Sequence, residues 1–307
     1  MVGILIVFLS SFSTTAVITP LIIERCKSRG FVDRDLHKQG VMVPYLGGLG
    51  ILMGFLAGMT VTGFLGMDSR SGLAAALSGV LGGMIGLVDD LFKLRKASLV
   101  VLSALAGLPI VSFRVGSPII YIFGLNLGDL FWALVPLGFC YLMNSVNIYA
   151  GFNGLEAGCG LVTSVSLCIC SLIYGSQESA LELASLSGAL AAFLLWNKYP
   201  AKIFPGNSGT YLIGAVLASA IIIGTIKAAG LIATTPYLIN FLIRLKNRFN
   251  WTVGYVDDEG LIKTRSLEAL WSLWIGKGSS ERAIFWKSIL FQGLFGLGAI
   301  LFSCSVR

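Results

Sequence analysis

The chain has 307 residues, of which 56% are hydrophobic and only 12% charged, and its mean hydropathy is +0.86. These values exclude an ordinary soluble domain and give the fold class as an all-α polytopic membrane protein. A net charge of +7 would suit nucleic acid, but basic residues beside membrane spans are topology signals first, so no nucleic-acid partner is expected.

With about 20 apolar residues per crossing, ten transmembrane helices are expected. They run over residues 2–23, 44–66, 72–89, 97–113, 129–149, 155–175, 180–196, 208–226, 229–245 and 283–303. No basic segment precedes the first span, and Arg25, Lys27 and Arg29 follow it. It therefore reads as a retained helix with its N-terminus outside, not as a cleaved leader. That orientation puts eighteen of the 22 Lys and Arg on one side, which marks the side as cytoplasmic.

Residues 114–128 carry β-branched and aromatic side chains between turn formers, predicting a small external β-hairpin. Residues 246–282 are the one sizeable polar segment, a cytoplasmic loop long enough to cover a site. No internal period or low-complexity tract divides the chain, so 1–307 reads as a single integral membrane domain. The six cysteines lie mostly inside apolar runs without metal-ligand spacing and read as small core residues.

The polar residues that break the apolar pattern gather on the cytoplasmic side. The third span ends in Gly86-Leu-Val-Asp89-Asp90, followed by Lys93, Arg95 and Lys96. Two carboxylates at the partially negative C-terminal end of a membrane helix are costly unless a cation or phosphate chemistry requires them. The plain alternative is a water-boundary marker neutralised by the three basic residues. Asn144 and Asn147 share a helix face by their i, i+3 spacing, as packing glue or as ligands. Asn153-Gly154 reads as a turn or a binding loop. Phe204-Pro-Gly-Asn207-Ser208-Gly precedes the eighth span, where a capped helix start is also an anion site.

Together these parts suit a phosphorylated nucleotide. Carboxylate and amide oxygens are hard ligands for Mg²⁺, which typically holds a pyrophosphate through few protein groups and several waters. Lys and Arg neutralise the remaining charge, and an aromatic face can stack on a base. No GxxxxGK[ST] or GxGxxG sequence indicates a soluble nucleotide fold.

In order and spacing, Gly86-Leu-Val-Asp-Asp-Leu, Asn144-Ser-Val-Asn-Ile-Tyr-Ala-Gly-Phe-Asn-Gly-Leu-Glu-Ala-Gly and Phe204-Pro-Gly-Asn-Ser-Gly resemble the motifs of the polyprenyl-phosphate N-acetylhexosamine-1-phosphate transferases. The wording is most similar to the archaeal and eukaryotic branch that uses dolichyl phosphate. The resemblance spans roughly residues 30–245 and implies transfer of N-acetylhexosamine 1-phosphate from the UDP-sugar to a membrane polyprenyl phosphate, with release of UMP.

The resemblance also implies roles for individual residues. Asp89 engages or deprotonates the lipid phosphate and Asp90 supports it, while Asn147 and Asn207 are the metal positions for Mg²⁺. Asn144 is their polar partner, Asn153 and Phe204 recognise the uracil, and Lys38 contacts phosphate. Four positions depart from the family pattern. Asn207 replaces an Asp, Lys93 an Asn, Leu99 a Lys and Tyr45 a Glu. Lys93 or Lys96 then supplies the missing charge, and the late sugar-binding loop is reduced to Lys263-Thr-Arg265, leaving Arg265 as its candidate. The resemblance admits a homodimer and, in a prokaryote, a plasma-membrane location. A catalytically impaired binding subunit is the alternative reading and a membrane transporter a remote one, since transporter sites lie near mid-bilayer.

Overall fold

The computed structural model describes residues 1–65, 70–120, 124–250 and 252–306. The ten expected apolar segments are all helical. Nine are long and apolar enough to cross a membrane, and the tenth, Gly48–Phe64, has 17 residues. In order they are α1 (Val2–Arg29), α2 (Gly48–Phe64), α3 (Arg70–Phe92), α4 (Lys96–Leu105) with α5 (Leu108–Phe113), α6 (Asp129–Ile148), α7 (Leu155–Tyr174), α8 (Gln177–Asn197), α9 (Gly206–Ile223), α10 (Lys227–Lys246) and α11 (Glu281–Val306). The fourth segment is split at Ala106-Gly107, where Pro109 at the start of α5 lacks the N–H that would continue α4. The terminal helices α1 and α11 run longer than expected, their charged ends continuing the helix beyond the apolar stretch.

α8 and α9 form the centre and are buried over most of their length, whereas α1 and α11 lie at the rim. Hydrophobicity alone cannot drive this packing in lipid, so close approach and polar pairing must. Both are present. A Cβ on Gly82 would lie 2.5 Å from the Ala215 Cβ, and one on Gly86 would meet the Asn207 carbonyl oxygen at 2.1 Å, so α3 and α9 touch through glycine. Buried hydroxyls pair between helices, Ser11 with Ser185 at 3.0 Å, Ser164 with Ser187 at 2.9 Å and Ser171 with Ser179 at 2.9 Å.

Short antiparallel hairpins decorate the ends. The expected external hairpin appears as β3 (Ile119–Ile120) pairing with β4 (Leu125–Asn126), its connecting residues 121–123 lying outside the described residues. Lys227 fixes it by donating to the Ser117 and Ile119 carbonyls at 2.7 and 3.2 Å. At the opposite end, β1 (Val32–Arg34) pairs with β2 (Met42–Pro44), Asp33 opposite Val43, and presents the turn that holds Asp35, His37 and Lys38. The 247–280 segment contains β5 (Tyr255–Val256), β6 (Ile262–Lys263) and a 3-10 helix at Leu270–Trp274. It packs against that turn: His37 stacks on Phe152 with ring centroids 4.8 Å apart and donates to the Val253 carbonyl at 2.8 Å, while Phe152 meets Trp271 edge-on.

Candidate active site

The C-terminal ends of α3 and α6, the N-terminal ends of α7 and α9 and the loop that follows β1 surround a cavity of about 260 Å³. Its lining includes Asp90, Lys93, Asn147, Asn153, Phe204 and Asn207, brought from three separate stretches of the chain. Tyr45, Glu156 and Thr210 line it as well.

The acid pair is built around α9. Successive helical residues point about 100° apart, and only Asp90 lines the cavity. Its Oδ1 accepts the Asn207 backbone N–H at 2.8 Å and its Oδ2 the Ser208 N–H at 2.9 Å. Those amides belong to the first turn of α9 and have no partner within it, so Asp90 caps the helix from a distance. Asp89 accepts the Leu94 N–H at 2.8 Å through Oδ1, and its Oδ2 takes a short hydrogen bond from the Asn207 side-chain amide. Gly206 permits this geometry: it has φ 64, and a Cβ there would press 2.3 Å from the Tyr45 carbonyl and 2.6 Å from Asp90 Oδ2.

Asn147 faces the same cavity with Oδ1 accepting from the Thr210 hydroxyl at 2.8 Å. Asp90, Asn147, Asn207 and Glu156 together offer hard oxygen donors with unused lone pairs, a set that fits a divalent cation. The ligand atoms of Asp35, His37 and Glu281 also lie within 4.8 Å of one another. There, however, the Lys38 ammonium already sits 2.6 Å from Asp35 and 2.9 Å from Glu281.

The other anticipated residues divide. Phe204 lines the cavity and is held by backbone pairing with the first loop, its N–H donating to Pro44 and its carbonyl accepting from Gly47. Lys93 lies over the Tyr45 ring at 5.2 Å, a cation-π contact made available where the family pattern has an acid. Asn144 does not line the cavity. Its amide donates to Ser103 and the Cys140 carbonyl and accepts from the Tyr211 hydroxyl at 3.0 Å, bridging α4, α6 and α9. Lys96 begins α4 exposed to solvent, and Arg265 rests 5.7 Å from the Tyr255 ring, both outside the lining. Leu99, in the place of a basic residue, is buried in the core.

Lys38 is enclosed, not presented: it donates to Asp35, Asn153 and Glu281. Glu281 is the residue that sequence reasoning missed. It stands 128 positions from Asn153, whose backbone N–H it accepts at 2.7 Å, and its one sequence signal, an acid in the first turn of a helix, is explained just as well by the macrodipole.

Comparison with known proteins places the chain among relatives. The model of glycosyl transferase family 4 matches residues 72–225. A protein of Sulfolobus acidocaldarius named a putative UDP-N-acetylglucosamine–dolichyl-phosphate N-acetylglucosaminephosphotransferase is 34% identical over 85% of this chain and 84% of its own length. Its namesake in Saccharolobus solfataricus is 35% identical over 84% and 83%. A phospho-N-acetylmuramoyl-pentapeptide-transferase of Shouchella clausii is 28% identical over 78% and 80%. With half of the chain matched by the family model and nearly all of its cavity motifs within that match, the chain belongs to glycosyl transferase family 4.

Proposed function

We propose that this chain transfers N-acetylglucosamine 1-phosphate from UDP-N-acetylglucosamine to a membrane polyprenyl phosphate of the dolichyl class, releasing UMP. One observation carries the reading: Asp90, Asn147, Asn153 and the Phe204–Asn207 turn, far apart in sequence, meet at one cavity at the end of a membrane bundle, with Asp89 bonded to Asn207 beside it. The names of the similar archaeal proteins point to the same substrates.

In the reaction a phosphate oxygen of the lipid attacks the β-phosphorus of the UDP-sugar. The bond from that phosphorus to the bridging oxygen breaks, and the electron pair leaves with UMP. Such a transfer needs positioning and charge stabilisation more than covalent chemistry. Phe204 offers a face for the uracil and Asn153 an amide. Lys93 neutralises phosphate charge at the cavity wall. Asp89 is the candidate to engage the lipid phosphate, reached by displacing the Asn207 amide, and Asp90 fixes the α9 N-terminus by accepting the Asn207 and Ser208 amides. Mg²⁺ would be held through the amide oxygens of Asn147 and Asn207 with Asp90 beside them, supplying charge neutralisation. The active face is cytoplasmic in this reading, where UDP-sugars reach it.

The test is direct. Purified protein with UDP-N-acetylglucosamine, dolichyl phosphate and Mg²⁺ should release UMP and form a lipid-linked sugar pyrophosphate. UDP binding without UMP release would instead identify a binding subunit.

A further inference from the structure

The side chain of Asn153 has almost no hydrogen-bonding freedom. Its Oδ1 accepts from Lys38 Nζ at 3.0 Å and from the Ala201 N–H at 2.8 Å, which fills both lone pairs. Its Nδ2 donates to Asp35 Oδ2 at 3.3 Å, leaving one N–H. Turning the amide over would set its NH₂ against an ammonium and a backbone N–H, three groups that can only donate, and its oxygen against a carboxylate. The orientation is therefore dictated by neighbours, and Asn153 lines the cavity with a donor alone.

The neighbours are themselves locked. Each of the three Lys38 protons has its own acceptor: Asp35 at 2.6 Å, Glu281 at 2.9 Å and Asn153. No proton is left for a substrate phosphate. Glu281 is 6% exposed and uses one oxygen for Lys38 and the other for the Asn153 backbone N–H. It reaches them from the first turn of α11, where a carboxylate is favoured by the helix dipole. A lysine held between two carboxylates with no other task is an arrangement for aiming a third group.

We propose that Asp35, Lys38 and Glu281 are positioning residues that lock the Asn153 amide as a hydrogen-bond donor, so that the site accepts a uracil and rejects a cytosine. This rests on the UDP-sugar reading above. Uracil carries a carbonyl at C4, which the remaining Asn153 N–H can meet. Cytosine carries an amine there, so donor would face donor in a buried site, and sites of this kind discriminate strongly because the unmatched group is left without a partner.

The ratio of UDP to CDP affinity, measured by calorimetry on the purified full-length protein, separates aiming from simple stability. The wild type should favour UDP by at least about tenfold. Lys38→Met removes one of the two donors that pin the Asn153 oxygen and so loosens the amide against turning over, and Glu281→Gln sets an amide N–H against one of the two donors that Glu281 now accepts. Each should bring the ratio down by about tenfold toward one, whereas a purely structural loss weakens both nucleotides together. On the unaltered protein, UDP with sulfur in place of the C4 oxygen should bind several-fold more weakly, and sulfur at C2 should have little effect. A ratio unmoved in both variants, or indifference to sulfur at C4, overturns the inference. No binding of UDP to the wild type overturns the functional reading, and the inference with it.

Discussion

Asp90 joins two helices through backbone amides, and its loss has a defined cost. Asp90→Ala leaves the half-buried N–H of Asn207 and the buried N–H of Ser208 without their acceptor, so stability should fall by about 1–3 kcal/mol and activity should vanish. Thermal unfolding in detergent and UMP release measure the two effects. Asn207 presents the opposite case, because its amide now neutralises Asp89 by hydrogen bonding. Asn207→Asp replaces that bond with two carboxylates in contact, so the metal-free protein should be less stable. Added Mg²⁺ should then raise the melting temperature of the variant more than that of the wild type. An equal rise in both proteins would remove position 207 from the metal. Lys38 gives a pH prediction. Burial pushes its ammonium down, but the bonds and charges of Asp35 and Glu281 outweigh this and hold it above the ordinary 10.5. A raised folded value means that the stabilisation is complete below 10.5 and is lost only as pH climbs past it. The difference in melting temperature between wild type and Lys38→Met should therefore stay constant from neutral pH to about 9.

At the scale of the element, α9 sets the site because it carries both the Phe204–Asn207 turn at its start and the glycine contact with α3. Gly86 lies one turn before Asp90 on α3, against the Asn207 carbonyl. A methyl group there cannot be accommodated by a flexible side chain, since the obstacle is backbone. Gly86→Ala should push the α9 N-terminus off Asp90, costing about 1–3 kcal/mol in stability and far more in turnover, because positioning errors near 1 Å cost about 100-fold. Comparison of thermal unfolding with UMP release checks whether activity falls out of proportion. The same element shows what was legible in advance. The α9 start was visible as Phe-Pro-Gly-Asn-Ser before an apolar run, but not that its first free amides are capped by a carboxylate 117 positions earlier.

For the whole molecule, all the cavity residues lie at the end of the bundle that carries the 247–280 segment, and the β3–β4 hairpin lies at the other. Single cysteines at exposed Leu125 and Glu259 should therefore report opposite sides of the membrane. In sealed right-side-out vesicles of a background without native cysteines, Leu125→Cys should react with an impermeant maleimide and Glu259→Cys only after permeabilisation. The reverse pattern would place the cavity outside. α11 reaches the same end of the bundle, where Glu281 closes the Lys38–Asn153 cluster from its first turn.

By itself the sequence determined the membrane class, the ten apolar segments and which loops share a side. Those follow from local composition and from the distribution of Lys and Arg, which need no knowledge of packing. It also determined the family, through motifs whose residues are close in the chain. The tertiary structure alone decided how those residues are used. Asn144, one turn from Asn147, bonds across three helices, and Lys38 donates to three protein acceptors. Glu281 entered the site from the last helix. The physical reason is that a hydrogen-bonding side chain has a fixed small number of donors and acceptors, and which of them remain for a ligand depends on neighbours brought from anywhere in the chain.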